Sequence, residues 1–449
     1  MGSYRSDIRT NTRGDLAVSG TTSGSTSSRS RRALIAAVVG AALVAAGCGS
    51  GSSKPAANAS FTLEYISDAT GNQGYDIPTN TAFAAAVKAV NARGGIKGHL
   101  INVLNCDTTS SANGSAACGQ KAVSDHAFAI ISFASSGAYL PLAQQAGIPV
   151  LSEGITTESW TSPVSFMLSN GLIGGSAGYV ALLKSQGCQH IGMVATVAPG
   201  SAKNIQSLSD SMATEAKALG VDYKGYVSAP ITAPDMAPYA TQAVDKGYEC
   251  LIPLAFGPGA VSMMTSVNSL VQAGKFKKVG ICICSITSQV RQALTAPIQA
   301  MGDAAVLSLS IESGQDTANP AVRQWAKDMA DYNGGTSLEF QGGMQWAELQ
   351  LLVHAGDAVY PNVTAAKVLN YLNGLHSYWP GISPPVDLSK APANPYGPRV
   401  FASWVAPTKF TDGINFTRTA PFVSILTDQT NDNPVPAKCN NWVAGACAS

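Results

Sequence analysis

Charge is what this 449-residue chain has least of: Lys, Arg, Asp and Glu make up 12% of it, against about 25% in an average soluble domain. Its 28 basic and 27 acidic side chains nearly cancel, so the balance gives no footprint for a polyanion and nucleic acid is not an expected partner. Metal-ligand spacings are missing too. There is no CxxC or HxxxH, and His99, His126, His190, His354 and His376 are scattered, which leaves neither a zinc motif nor a triad spacing. Gly71-Asn72-Gln73-Gly74 lacks the third glycine of a dinucleotide fingerprint, and no Walker lysine is present. No cofactor and no metal are therefore expected. The apolar run Ala33 to Ala46 falls short of the about 20 residues that a permanent membrane-spanning helix needs.

That run belongs instead to an export signal. Arg29, Arg31 and Arg32 precede it, and it stops at Ala45-Ala46-Gly47-Cys48, so a charged segment, a short apolar segment and small residues follow in the order of a secretory signal. The ending resembles the bacterial lipobox, in which the cysteine takes a lipid and becomes the new N-terminus. Residues 1–47 then read as a signal peptide with a long n-region, Cys48 as the lipidation site, and 48–59, rich in Ser and Gly, as a lipidated flexible tether. Cleavage there removes six basic and two acidic side chains, leaving 22 and 25 and a net charge of −3.

Eight cysteines remain beyond Cys48, an even number that favours disulfides outside the cytoplasm. Cys106 with Cys118 and Cys439 with Cys447 are the local pairs. Cys188 and Cys250 each precede or open an apolar run and meet if those runs are neighbouring parallel strands. Cys282 and Cys284 share one face of a strand, where bridging each other is awkward.

From Phe61 onward short apolar runs alternate with helical patterns: strand Phe61 to Ser67, helix Thr79 to Ala92, strand Leu100 to Asn105, helix Asn113 to Ser124, strand Ala127 to Phe133. The rhythm restarts at Ile191 after a helix over Leu172 to Ser185. Repeated βαβ units build parallel sheets covered on both faces, so the fold class is α/β, with two doubly wound Rossmann-like lobes and a ligand cleft between them. The expected division is 60–185 plus 304–379 for lobe I and 186–303 plus 380–449 for lobe II. Ligands in such sheets sit beyond the carboxyl ends of the strands.

Three stretches resemble the type I periplasmic solute-binding proteins, in the branch of the leucine/isoleucine/valine-binding protein: Asn91-Ala92-Arg93-Gly94-Gly95-Ile96-Lys97-Gly98, Ala146-Gly147-Ile148-Pro149-Val150-Leu151-Ser152, and Ala134-Ser135-Ser136-Gly137. The order of elements matches from about Phe61 to about Leu426. The resemblance implies a receptor that closes about a hinge on an amino acid, amide or small carboxylate and delivers it to the permease and ATPase subunits of an ABC importer. It places ligand contacts on Ser135, Ser136, Ser152, Gly154 and Thr156 in the first lobe, an aromatic cover on Tyr75, and second-lobe contacts on Phe256 and Ser285. Amino-acid binders of the family usually have an acidic residue near the last position, whereas this chain reads Cys284-Ser285-Ile286-Thr287. Glu153 or Glu312 is the available substitute, and a ligand without an ammonium fits equally.

Two other functions share parts of this reading. A ligand-sensing module of a signalling system has the same fold without an importer. A secreted serine hydrolase is the reading of Gly174-Gly175-Ser176-Ala177-Gly178, which matches G-x-S-x-G; a nucleophile elbow, however, needs its serine at a sharp turn after a strand, and Ser176 falls within a helical pattern.

Overall fold

The computed structural model describes residues 60–70, 77–198, 201–255, 258–282, 288–312, 314, 316–334, 340–390, 399, 401, 404–410, 416–425, 430–436 and 439. The signal segment, Cys48 and the tether lie outside them. The chain from Pro55 to Ser449 forms one compact unit.

Its first part runs β1 (Phe61–Ser67), α1 (Ile77–Ala92), β2 (Ile101–Asp107), α2 (Ala112–Ser124), β3 (Ala129–Phe133), α3 (Leu140–Ala146), β4 (Val150–Ser152), α4 (Thr157–Thr161) and β5 (Ser165–Phe166). The five strands make one parallel sheet in the order β2-β1-β3-β4-β5. Odd-numbered residues of β1 and β3, such as Leu63, Tyr65 and Ile131, enter one core, while the even-numbered Ile66 and Ile130 enter another beneath α2 and α3. Burial on both faces is the reason these strands read as continuous apolar runs.

The second part comprises α5 (Gly171–Ser185), β6 (His190–Val197), α6 (Ala202–Leu219), β7 (Asp222–Pro230), α7 (Ala237–Asp245), β8 (Cys250–Leu254), α8 (Pro258–Gln272), β9 (Lys278–Cys282), α9 (Ser288–Ala300) and β10 (Ala305–Leu309). The chain then supplies α10 (Pro320–Asp331), α11 (Phe340–Val359) and α12 (Ala365–Asn373), followed by β11 (Trp404–Phe410), β12 (Phe416–Arg418), β13 (Phe422–Ser424) and β14 (Thr430–Asn431). The second sheet is ordered β14-β13-β11-β10-β9-β8-β6-β7, with β12 paired to β11. Its parallel part, β7-β6-β8-β9-β10, repeats the strand order of the first sheet, and β11 to β14 extend it antiparallel.

Sheet membership and packing divide the described residues differently from the boundaries expected from sequence. Helix α5 packs on α6 and strand β10 pairs with β9, so both belong with the second sheet, whereas Tyr378, Trp379, Ile382, Val386, Leu388 and Phe401 enter the core of the first. A βαβ rhythm records the order of elements but carries no mark of which sheet a strand joins. Residues of helices α10 to α12 pack in the core of the first sheet.

The first lobe is fastened from behind by Asp328 on α10. Its buried carboxylate accepts two bonds from Arg93 at 2.6 and 3.0 Å, one from the Trp346 indole at 2.8 Å and one from Gln324 at 2.7 Å. Arg93, part of the Asn91–Gly98 stretch, thus ties α1 to α10 and α11. Beside it Gly95 turns the chain with φ 57° so tightly that a Cβ there would lie 2.1 Å from the His99 carbonyl oxygen, a place only glycine fits.

Two cysteine pairs stand at disulfide-bonding distance: Cys106 on β2 with Cys118 on α2, and Cys188 with Cys250, whose Cα atoms are 5.6 and 6.1 Å apart. The second pair meets because β6 and β8 are parallel neighbours with Ile191 opposite Cys250. Cys284 and Cys447 lie outside the described residues.

Where the chain returns from β10 to the first lobe, buried Glu312 accepts from Arg418 Nε at 3.0 Å and from Asn433 Nδ2 at 3.0 Å, and its own N–H donates to the Ile382 carbonyl. Asn433 also accepts from the Trp379 indole at 2.6 Å. Burial pushes the Glu312 carboxyl up, and Asn433 and Arg418 only partly pull it back. Arg418→Met is expected to lower unfolding stability at pH 7 by about 3 kcal/mol, because it leaves a buried carboxylate without its cation. Urea denaturation should show a lower midpoint, with the deficit shrinking as pH falls through the raised value of the Glu312 carboxyl.

Candidate functional site

In both sheets the strand order reverses direction between the first strand and the third, and the crevice at such a switch point is where this architecture takes ligands. In the first sheet β1 ends at Ser67 and β3 at Phe133, so Asp68 and Ser135 flank that crevice. The buried Asp68 carboxylate accepts the Ser135 backbone N–H at 2.8 Å and also the Thr108 hydroxyl. At the end of the neighbouring strand Asp107 accepts from the Thr70 and Thr109 backbone N–H groups at 3.1 and 2.9 Å and from the Thr70 hydroxyl. Burial opposes ionisation of Asp107, but these bonds outweigh it and hold the carboxyl below its ordinary range.

The structure brings several of the expected residues together. The turn Ser135-Ser136-Gly137 packs on the turn after β4: a Cβ at Gly137 would lie 2.6 Å from Thr156 Oγ1. Ser135 has its N–H committed to Asp68, and its hydroxyl makes no hydrogen bond among the described residues. Ser136 is more engaged, its carbonyl accepting from Ser115 Oγ at 2.8 Å and its hydroxyl from the Ala138 N–H at 3.4 Å.

Other expected residues are occupied by the fold itself. Thr156 is the N-cap of α4, accepting from the Ser159 N–H and facing the Ser159 hydroxyl at 3.2 Å. The Ser152 hydroxyl faces that of Ser165 at 3.5 Å. The Gly154 carbonyl accepts from the Trp160 indole at 2.7 Å and the Leu172 N–H at 3.0 Å. Glycine is required there because φ is +66° and a Cβ would approach Met167 Sδ to 2.2 Å. Glu153 is buried in the same turn. Glu312 is spent on Arg418 and Asn433 at the crossover, which removes it as a ligand's counter-charge. Tyr75, Phe256 and Ser285 lie outside the described residues.

The hydrolase candidate has a packing explanation. Ser176 lies inside α5, buried, with no turn beside it. Gly174 and Gly178 bring that helix against Ile425 and Val405, to which added Cβ atoms would approach within 3.1 and 2.5 Å. Ser389 and Asp387 both contact His376, but through the same ring nitrogen, Nδ1, and a proton relay needs opposite ones.

Sequence reasoning passed over one group. Glu348, on α11, is fully buried, and neither of its oxygens has a hydrogen-bond partner among the described residues. Burial raises its carboxyl well above the ordinary range. Its signal is weak in the sequence, because α11 is buried over 342–353 without a polar face and a lone Glu in such a segment reads as an exposed position.

The two strand-end faces touch. Thr157 Oγ1 at the start of α4 donates to Asn204 Oδ1 near the start of α6, 3.0 Å away, joining the carboxyl-end edge of the first sheet to that of the second. No helix among the described residues is long and apolar enough to cross a membrane.

A family model described as periplasmic binding protein matches residues 65–406. No curated protein matches the chain. Among solved structures it is similar to a branched-chain amino acid ABC transporter protein from Thermus thermophilus with bound valine, at 15% identity and TM-score 0.65, covering 82% of this chain and 97% of that one. A solute-binding protein of an ABC transporter from R. palustris in complex with 4-hydroxybenzoate is 14% identical, with TM-score 0.64 and coverage of 83% and 98%. The substrate-binding protein of a branched-chain amino acid transporter from Streptococcus pneumoniae, in complex with isoleucine, is 13% identical, with TM-score 0.61 and coverage of 81% and 100%.

The buried acid has a measurable signature. A carboxyl whose folded value is raised stabilises the protein fully below pH about 4.5 and loses that contribution as pH climbs through the raised value. Glu348→Gln is therefore expected to melt like the parent at pH 4 and to gain on the order of 2 kcal/mol at pH 8 without ligand. Melting curves across that range check it; a constant difference would contradict it.

Proposed function

The chain belongs to the periplasmic binding protein family, and from that premise we propose that it is an extracytoplasmic, lipid-anchored receptor for a small polar solute, which it delivers to an ABC importer. The observation that supports this most directly is the meeting of the two strand-end faces at Thr157 and Asn204. A solute held between them touches both lobes, so closure is selected by the difference in affinity between open and closed states.

Within the first lobe, the free hydroxyl of Ser135 beside the switch point is the group best suited to donate to a ligand's carboxylate. Ser136 and the Ser152–Thr156 turn hold it in place more than they bind. Valine, isoleucine and 4-hydroxybenzoate, the ligands named for the similar structures, all carry a carboxylate, which favours an amino acid, amide or small carboxylate here. Tyr75, Phe256 and Ser285 complete the site in this reading. The permease and ATPase subunits of the importer are the partners that the family implies, and the Ala45-Ala46-Gly47-Cys48 ending supplies the anchor that keeps the receptor beside them. No catalytic role is assigned to it.

A panel of amino acids, amides and small carboxylates tests the reading by thermal melting. A true ligand at a hundredfold its Kd stabilises by about 2.7 kcal/mol, a shift of several degrees. Ser135→Ala is expected to weaken that ligand about tenfold, as one hydrogen bond to a charged group would. No shift with any member, and no solute carried through purification, would remove the receptor reading. Metabolic labelling with palmitate should mark the parent and leave Cys48→Ala unlabelled.

A further inference from the structure

Exposed apolar side chains are ordinary one at a time, so it is their grouping that carries information. Among the described residues four large ones are exposed: Leu100, Val123, Tyr360 and Val435. Three of these four lie at one end of the first lobe. Leu100 leads into β2, Val123 is in the last turn of α2 before β3, and Tyr360 directly follows α11. All three stand at the amino ends of the parallel strands, whereas the candidate solute contacts stand at the carboxyl ends, about 20 Å of strand away.

Direct contacts tie this end together. The Phe61 N–H donates to the Leu100 carbonyl at 2.9 Å. The Phe61 ring lies 6.2 Å from buried Phe128 and 5.3 Å from His99. His99 in turn lies 5.5 Å from the Tyr360 ring, with its Nε2 3.2 Å from the Tyr360 hydroxyl. An aromatic path thus runs from the core at Phe128 out to exposed Tyr360. Charges on the adjoining turns are paired, Arg93 with Asp328 and Lys121 with Glu64 and Asp125. Lys97 is exposed there, on a stem long enough to carry its charge up to a phosphate.

The course of the chain names the occupant. Phe61 opens β1 at this same end, thirteen positions after Cys48. Fully extended, that stretch reaches about 45 Å. A short tether raises the local concentration of what it joins to about the millimolar range, so a contact too weak to hold a free protein is populated. The bilayer that anchors Cys48 is therefore the surface this end meets most often. Its chemistry also fits: a tyrosine suits the headgroup layer, and Leu and Val the acyl boundary beneath it.

We infer that the amino-end face of the first lobe, with Leu100, Val123 and Tyr360 foremost, rests on the lipid bilayer beside the anchor. The inference rests on the lipid-anchored receptor reading and adds an orientation to it. The carboxyl ends of the strands, and the solute site with them, point away from the membrane while the receptor waits for solute. Delivery then requires the domain to tip within the reach of the tether.

Hydrogen exchange read by mass spectrometry tests this on the lipidated mature chain reconstituted on phosphatidylcholine vesicles, against the same chain begun at Gly49 and kept in solution. Peptides over 97–101, 121–127 and 358–362 are expected to exchange about threefold more slowly, or slower still, on the vesicles. Peptides over 134–138 and 155–159, at the solute site, should be unchanged. Leu100→Ser combined with Val123→Ser should remove most of the protection, and Tyr360→Ser serves if that pair does not fold. Equal exchange in the two states, protection confined to the second lobe or the solute site, or protection that survives both variants overturns the inference. So does slowing of the same peptides in the soluble chain as its concentration rises, which would make a second copy the occupant. If Cys48 takes no palmitate, the anchor and this inference fall together. With Cys48 labelled, any of these outcomes removes the inference alone and leaves the receptor reading, which solute melting tests, intact.

Discussion

The ion pair of Glu312 with Arg418 sits where the chain passes back from the second sheet to the first, and the relation between the two lobes depends on it. Burial makes the Glu312 carboxylate costly, Asn433 and Arg418 offset part of that cost, and the Glu312 backbone N–H is taken up by the Ile382 carbonyl. Each partner comes from a different stretch of chain: β12, the segment after β14, and the loop after α12. Asn170, at the first crossing, adds a bond to the Trp404 carbonyl at the third, 3.1 Å long. The crossings are thus stitched to one another by specific polar contacts as well as by apolar ones, since Met167, Val405 and Ile425 share a core and Phe166 stacks on Phe401. The polar contacts fix the register in which these segments cross.

The same economy governs the buried acids elsewhere. Asp328 serves α1, α10 and α11 together, Asp68 joins the ends of β1 and β3, and Glu64 pairs with Lys121 under the sheet. A chain with so few charges has placed several of them inside and given nearly all of them structural partners. Against that pattern Glu348 stands out by its environment, although its residue type does not.

Much of the fold was legible in the sequence because βαβ alternation leaves a strong periodic trace, and strand-end residues such as Ser135 can be placed once strands are. The meeting of Cys188 with Cys250 was legible for the same reason, through neighbouring parallel strands. What escaped was three-dimensional. Whether β10 joined the first or the second sheet depends on a crossover that leaves no local mark. Whether Thr156 caps a helix or binds a ligand depends on the Ser159 N–H, and whether Glu312 is available depends on Arg418, more than a hundred positions away. Glu348 escaped because a helix buried all round has no polar face from which to read orientation.

The make-up of the first core carries a consequence for synthesis. Its sheet is drawn from residues 61–166 and α1 covers part of one face, but the helices and loop that complete that face come from 320–388, after the parallel strands of the second sheet. As the chain is made, the first sheet waits with that face only partly covered, by α1, while the second sheet can already pair its parallel strands. The lobe that begins first is finished last, and a holdase that shields its waiting surface would matter most during that interval.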